Sequence, residues 1–275
     1  MKRGGSSMEQ WIVTARGRMY ARRWEPASPA SDAPIVLLHD SLGCMELWRS
    51  FPSALAEGTR RRVIAYDRLG FGKSDARTDR LSAGFIREEA REFFPRVREQ
   101  MEFDRFVLFG HSVGGGMGVH CAAEFPDACE GLITESAQAF VEENTREGLL
   151  AAKALFAQPE QFERLARYHG EKARWVLDAW IETWLSPAFE RWSLDDVLVR
   201  VKCPTLAMHG SEDEYGSARH PERIARGTGG EMVIIEGAGH VPHREREGWV
   251  VERVREHLTR RHGDTEKQEA SRRSR

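Results

Sequence analysis

The chain consists of short apolar runs separated by longer segments of helical periodicity. The runs are rich in β-branched and aromatic residues and are bounded by turn-forming residues, which is typical of strands in a sheet that is covered on both faces. They predict strands at residues 35–38, 63–66, 106–109, 131–134, 205–208 and 232–235. Ahead of them, residues 11–15 and 19–24 alternate apolar and polar positions around Arg16-Gly17-Arg18, which predicts an antiparallel hairpin.

Helical periodicity fills most of the intervals between these strands. It predicts helices at residues 47–57, 81–101, 113–124, 221–226 and 248–259, the second of them interrupted near Pro95. Strands that alternate with helices in this way indicate an α/β fold with a mostly parallel sheet. Beyond residue 261 the chain is polar and has no apolar anchor, so residues 263–275 are predicted to be a disordered tail.

One stretch between two strands departs from the alternation. Residues 140–192 show helical periodicity only, with breaks at Pro159, Gly170 and Pro187. A helical block of this size between two strands is longer than a crossover needs, which favours a lid over the sheet. We therefore predict a core domain at residues 1–139 and 193–262, with a helical lid at residues 140–192 inserted into it.

Composition and charge exclude several classes of function. The 41 basic and 43 acidic residues leave a formal net charge of −2, which gives no electrostatic reason to expect nucleic acid or a membrane as a partner. The amino-terminal residues have no apolar segment typical of a signal, and no apolar run approaches the roughly 18 residues of a membrane span. The four cysteines form no CxxC pair, so we expect reduced thiols in a cytoplasmic protein without a metal or other cofactor.

The sequence Gly-His-Ser-Val-Gly at residues 110–114 lies between a predicted strand and a predicted helix. This is the pattern of a nucleophile elbow, in which a sharp turn holds the serine in a strained backbone conformation above the edge of a sheet. The glycines on either side are required because any Cβ would collide across such a turn. Ser112 is therefore the predicted nucleophile.

A serine hydroxyl needs a general base, and the later strands offer one. Asp213 follows the strand at 205–208, and His240 follows the strand at 232–235 in the sequence Gly-Ala-Gly-His. All three predicted residues come after the carboxyl ends of strands, where open α/β sheets build their sites. Alternatives are His243 for the base, and Glu135, Glu212 or Glu214 for the acid.

Five sequence blocks together resemble the α/β-hydrolase superfamily, in particular its lid-bearing esterases and C–C hydrolases. The blocks lie at residues 39–43, 67–74, 110–114, 210–213 and 237–240. The resemblance implies a mostly parallel eight-stranded sheet flanked by helices, and a catalytic triad in the order serine, aspartate, histidine. By this resemblance Ser112 attacks a carbonyl, His240 transfers the proton and Asp213 orients the imidazole.

The resemblance also implies an oxyanion hole made of backbone N–H groups. These would be the N–H of Val113 and that of Ser41, with Leu42 as the alternative to Ser41, because this chain has Asp40 where its relatives usually have glycine. Six residues are weaker candidates for substrate binding, although the helical spacing of the tryptophans also fits simple packing. They are Leu42, Cys44, His111, Trp175, Trp180 and Trp184.

The function predicted from these residues is that of a carboxylesterase-like serine hydrolase. It would cleave a small or medium apolar ester through an acyl-enzyme on Ser112, with a small-molecule ester as its partner. Alternatives are a C–C bond hydrolase or lyase and a cofactor-free perhydrolase, which use the same three residues, and a non-catalytic ligand receptor on the same scaffold.

Overall fold

A computed structural model describes residues 6–273, with side chains as far as residue 260. The backbone of residues 263–273 belongs to the last helix, but their side chains are not described, and the predicted disorder of residues 263–275 stays a prediction. Within the described residues, no helix combines the length and the apolarity needed to cross a membrane.

Eight strands form one sheet, as the α/β prediction requires. They are β1 (Ser7–Thr14), β2 (Gly17–Trp24), β3 (Ser31–Leu38), β4 (Arg61–Tyr66), β5 (Phe106–His111), β6 (Cys129–Glu135), β7 (Thr205–Gly210) and β8 (Glu231–Ile235). Their order across the sheet is β1-β2-β4-β3-β5-β6-β7-β8. The pairs β1·β2 and β2·β4 are antiparallel and the other five are parallel, so the prediction of a mostly parallel eight-stranded sheet is confirmed.

The central strands are buried along their whole length. Every residue of β5 and of β7 is buried, which explains why these strands appear in the sequence as continuous apolar runs. The edge strand β1 is mostly exposed, and Ile12 is its one buried residue. The strands extend beyond the predicted runs because ladder hydrogen bonds continue into polar residues, as in β3, which begins at Ser31 and has an irregular register before Ile35.

Helices cover both faces of the sheet. In chain order they are α1 (Phe51–Thr59), α2 (Phe85–Glu88), α3 (Phe94–Gln100), α4 (Val113–Glu124), α5 (Glu143–Leu155), α6 (Pro159–His169), α7 (Ala173–Trp184), α8 (Asp195–Leu198), α9 (Arg219–Thr228), α10 (Pro242–Glu245) and α11 (Glu247–Arg273). Helices α1 and α11 pack on one face, where Phe51 and Val250 join the core around Leu37. Helices α2, α3, α4, α8 and α9 contribute to the core of the other face.

The predicted helix at residues 81–101 is a composite of three segments. It begins at Phe85, and a wide π-helical turn at Glu89–Phe93 separates α2 from α3. The wide turn lies directly before Pro95, whose ring prevents an ordinary intrahelical hydrogen bond. The predicted interruption is therefore present, displaced by a few residues toward the amino terminus.

Of the helices that lie between β6 and β7, α5 to α7 form what we call the helical insertion. Two of the predicted breaks coincide with the ends of α6. Pro159 begins this helix, and Gly170, with a φ of 58°, ends it. His169 at the end of α6 accepts a hydrogen bond from the N–H of Gly72 at 2.9 Å and donates one to the carbonyl of Leu42 at 3.0 Å. The insertion is thus attached to two loops at the carboxyl edge of the sheet.

Candidate active site

The turn between β5 and α4 holds Ser112 in an unusual backbone conformation, with φ 54° and ψ −125°. A Cβ on Gly110 would overlap the carbonyl of Gly114, and a Cβ on Gly114 would overlap the carbonyl of Leu38. The N–H of Ser112 donates to the carbonyl of Glu135 at 2.9 Å, which fixes the turn to the end of β6. The strain and the glycine requirement are those of a nucleophile elbow.

Asp213 and His240 meet in the loops that follow β7 and β8. The Nδ1 of His240 lies 2.9 Å from each carboxylate oxygen of Asp213, whose side chain is fully buried. The N–H of Tyr215 also donates to Asp213 Oδ1 at 2.8 Å, which fixes the carboxylate in place. Because Nδ1 donates to the carboxylate, the lone pair of the neutral imidazole lies on Nε2.

Acidic neighbours control the charge of His240. Burial favours the neutral imidazole, but the hydrogen bond that His240 donates to Asp213 and the negative charges of Asp213, Asp40 and Glu214 outweigh it, so the pKa of His240 is raised above its ordinary value. For the same pair, burial opposes ionisation of Asp213, yet the contact with His240 keeps the pKa of this carboxyl lowered. The raised pKa of His240 and the lowered pKa of Asp213 both describe an imidazole that readily accepts a proton.

The Ser112 hydroxyl donates to Oε1 of Gln138 at a long distance of 3.4 Å. Among the described residues, no hydrogen bond joins it to His240, although both side chains line the same cavity. Hydrogen bonds of this kind are often absent or long in ligand-free enzymes and shorten when substrate binds. The structure therefore brings Ser112 and His240 to one cavity without linking them directly.

The loop at residues 39–43 is fixed through the carbonyl of Asp40. It accepts hydrogen bonds from Nδ1 of His39 at 2.8 Å, from Nη2 of Arg68 at 2.8 Å and from the N–H of Gly43 at 3.2 Å. In the described part of the chain, the N–H groups of Ser41, Leu42 and Val113 donate to no protein acceptor. They are free to bind an oxyanion, and the choice between Ser41 and Leu42 stays open.

A cavity of about 240 Å³ opens beside Ser112. Of the residues predicted from the sequence, it is lined by Ser41, Leu42, Ser112, Trp180, Trp184 and His240. The lining residues that the sequence did not single out for binding are Asp40, Gln138, Thr145, Leu149, Glu214, Tyr215 and Val241. Gln138, Glu214, Tyr215 and Val241 all follow strand ends within a few residues, which is the one sequence signal that would have included them.

Three predicted substrate-binding residues do not line this cavity. Trp175 donates from Nε1 to the carbonyl of Asp79 at 2.9 Å, and its ring packs against Phe71. Cys44 is buried behind the loop at residues 39–43, and burial raises the pKa of its thiol to about 12. His111 lies beneath the elbow, where Nε2 donates to the carbonyl of His240 at 2.8 Å.

His243 and Glu135, the alternatives to the predicted base and acid, form a hydrogen-bonded pair with each other. Nδ1 of His243 lies 2.5 Å from Oε2 of Glu135, and both side chains are buried away from the cavity. Burial raises the pKa of Glu135 and lowers that of His243, so each favours its neutral form. This second pair supports the loop that carries His240 and does not face Ser112.

His111, Glu135 and His243 also form the one group of possible metal ligands found among the described residues, with ligand atoms within 4.8 Å of one another. One atom of each residue has a protein partner, since Oε2 of Glu135 pairs with Nδ1 of His243 and Nε2 of His111 donates to the carbonyl of His240, whereas Oε1 of Glu135 is buried without a hydrogen-bond partner in the described part of the chain. The residues fit a buried polar network better than a metal centre.

Comparison with known proteins identifies a family for this arrangement. A family model described as the alpha/beta hydrolase fold matches residues 33–177, a little over half of the chain. Proline iminopeptidase from Lactobacillus delbrueckii subsp. bulgaricus is 29% identical over 144 residues, which cover 51% of this chain and 44% of that protein. The matched segment thus spans less than half the length of this curated relative.

Solved structures share the fold over nearly the whole chain. A 2-hydroxy-6-oxo-6-phenylhexa-2,4-dienoate hydrolase from Rhodococcus sp. superposes with a TM-score of 0.76 at 18% identity, covering 93% of this chain and 99% of that one. A carboxylesterase from Bacillus subtilis superposes with a TM-score of 0.67 at 20% identity, covering 90% of each chain. At these identities the likeness establishes the fold.

Replacing Gly114 by alanine tests the backbone contact at the elbow. We expect Gly114→Ala to lower the free energy of unfolding by about 2 to 3 kcal/mol, because the new Cβ overlaps the rigid carbonyl of Leu38. Chemical denaturation measures the change. Gly248→Ala is the matched control, since a Cβ there meets no atom within 4 Å. Equal stability of the two variants would contradict the predicted overlap.

Removing the charge of Asp213 tests its control of His240. We expect the pKa of His240 in Asp213→Asn to fall below that of the wild-type protein, because the charged acceptor that stabilises the imidazolium is lost. An NMR titration of the imidazole C–H resonances measures it. Glu212→Gln, in the same loop, serves as the control and should leave the titration unchanged. A wild-type pKa retained in Asp213→Asn would refute this account.

Proposed function

Because the chain belongs to the alpha/beta hydrolase fold family, we propose that it is a serine hydrolase that cleaves a carboxylic ester through an acyl-enzyme on Ser112. The observation that carries the proposal is the convergence on one cavity of a strained serine and a histidine that is hydrogen-bonded to a buried carboxylate. A nucleophile and an oriented base are the two requirements of acyl transfer by serine.

The reaction follows from the atoms that face the cavity. Ser112 Oγ attacks the ester carbonyl while His240 Nε2 takes its proton, and Asp213 stabilises the resulting imidazolium. The N–H groups of Val113 and of Ser41 or Leu42 donate to the oxyanion, where loss of one donor typically costs on the order of 10² to 10³ in rate. His240 then returns the proton to the leaving alcohol, and water releases the acid by the same steps.

The cavity supports a small or medium substrate. Its volume of about 240 Å³ is below the range of roughly 300–1,000 Å³ that is usual for drug-sized ligands. Leu149 from α5 and Trp180 and Trp184 from α7 supply apolar walls, so the helical insertion contributes to the choice of substrate. Deeper or longer substrates would require the insertion to move.

The alternative functions use the same three residues and differ in the substrate they need. The Rhodococcus relative is named for a dienoate, which is a carboxylate, whereas the described lining of this cavity has Asp40 and Glu214 and neither lysine nor arginine. This charge disfavours C–C bond cleavage of such an anion. A perhydrolase and a ligand receptor are compatible with the cavity, and the labelling experiment below distinguishes the receptor from the hydrolase. A cytoplasmic location also stays a proposal.

A fluorophosphonate probe tests the nucleophile. We expect the purified protein to gain the mass of one probe on Ser112, and Ser112→Ala to gain none, because only an activated serine reacts with this electrophile. In ester turnover we expect His240→Ala to lose on the order of 10³ or more in kcat. A folded wild-type protein that remains unlabelled would reject the hydrolase and favour the receptor.

The pH dependence of turnover tests the base. His240 must be neutral to accept the serine proton, and its pKa is raised, so we expect kcat/KM to increase with pH through a limb centred above the ordinary histidine value of about 6.5. In Asp40→Asn the limb should move toward lower pH, since Asp40 contributes to the raised pKa. A wild-type limb at or below the ordinary value would contradict this prediction.

A further inference from the structure

Two carboxylates line the cavity, and among the described residues neither forms an ion pair with a lysine or arginine. Asp40 and Glu214 both face it, and among the described lining residues there is neither lysine nor arginine. The nearest basic atom to the Asp40 carboxylate within 4 Å is Nδ1 of His111, at 3.9 Å. Burial lowers the pKa of His111 to about 4, so this imidazole is neutral at pH 7 and forms no ion pair with Asp40.

Asp40 remains ionised in spite of its position. Burial opposes ionisation, but His111, His39 and Arg244 together outweigh it, and the pKa of Asp40 is lowered. The side chain of Asp40 retains 28% of its exposure, whereas Glu214 is an exposed residue at the margin of the cavity. A negative charge therefore reaches the cavity from two separate loops.

A buried hydrogen-bond acceptor adds to these charges. Gln138 is only 5% exposed and lines the cavity, and its Oε1 accepts one long bond, from the Ser112 hydroxyl at 3.4 Å. When that hydroxyl turns to His240 for reaction, Oε1 loses this hydrogen bond while the side chain of Gln138 stays buried. An unpaired buried acceptor costs free energy, so a donor on the substrate would be favoured there.

Aromatic rings complete the walls. Tyr215 lies between Trp180 and His240, with ring centroids 5.9 Å and 4.8 Å away, and Trp184 lines the same cavity. The faces of tryptophan and tyrosine attract cations through their quadrupoles, and such rings recognise quaternary ammonium groups. Aromatic faces and carboxylates are together the chemistry of a site for a positively charged amine. The acceptor of Gln138 suits an amine that retains an N–H, whereas a quaternary ammonium uses the rings and the carboxylates alone.

We propose that this cavity selects an ester whose acyl part carries a positively charged amine, either ammonium or quaternary ammonium, and rejects acyl groups that carry a carboxylate. The inference rests on the proposed hydrolase function and names its substrate class. Glu214 and Asp40 supply the attraction, and the rings of Trp180 and Tyr215 supply a surface on which the cation lies.

Two shape-matched esters test the proposal. Phenyl 3,3-dimethylbutanoate is neutral, and the phenyl ester of trimethylglycine replaces its quaternary carbon by a permanently charged nitrogen. The measured quantity is the ratio of kcat/KM for the charged ester to that for the neutral ester. For one enzyme this ratio does not depend on the fraction of the protein that is folded. When the ratios of two variants are compared, the different intrinsic reactivities of the two esters cancel.

We expect the ratio to fall about tenfold in Glu214→Gln and in Asp40→Asn, because each replacement removes one charge from the wall. The ratio should stay at the wild-type value in Glu212→Gln, an exposed neighbour outside the lining. Phenyl hydrogen succinate, an anionic ester, should be a poorer substrate than the neutral ester for the wild type. In Glu214→Gln its kcat/KM relative to that of the neutral ester should increase.

The outcomes separate the two proposals. If both esters are hydrolysed through Ser112 but the ratio is the same in Glu214→Gln, Asp40→Asn and wild type, the charged-amine proposal is wrong and the hydrolase stands. If neither ester is hydrolysed and the fluorophosphonate probe does not label Ser112, the hydrolase itself is wrong. A fall of the ratio in Glu212→Gln equal to that in Glu214→Gln would also overturn the assignment to this cavity.

Discussion

The close approach of Gly114 to the carbonyl of Leu38 is the contact on which the rest of the site depends. It brings the start of α4 against the end of β3, so the elbow and the loop at residues 39–43 share one position. Ser112 takes its strained conformation at this junction, and the backbone donors of both loops lie beside it. A side chain at residue 114 would push α4 away from β3 and displace both the serine and these backbone N–H groups.

The structure contains two pairs of a histidine and a carboxylate that behave differently, although their histidines, His240 and His243, are close in sequence. Asp213 and His240 meet near other acidic groups, which raise the pKa of the imidazole and so make it a stronger base. Glu135 and His243 meet where burial dominates, which favours neutral forms and a structural role. The same two functional groups therefore acquire different properties from their surroundings alone.

Local patterns predicted the strands, the elbow and the pairing of Asp213 with His240, because each depends on residues that end a strand. The cavity wall was harder to predict, since it depends on how helices rotate against the sheet. Trp175 and Trp180 lie on the same helix, five residues apart, and at 3.6 residues per turn they differ by about 140° in direction. Packing alone decided that Trp180 faces the cavity and Trp175 faces Asp79. Gln138 and Tyr215 lie in loops, where no periodicity indicates the direction of a side chain.

The two hydrogen bonds of His169 link the helical insertion to the backbone beside Ser112. One imidazole joins the insertion to the N–H of Gly72 and to the carbonyl of Leu42, and Leu42 lines the same cavity as Ser112. A displacement of α6 from the sheet would break both bonds, and the loop at residues 39–43 would then be held by the hydrogen bonds to the carbonyl of Asp40. The position of the insertion therefore acts on the cavity through Leu42 as well as through the side chains of its own helices.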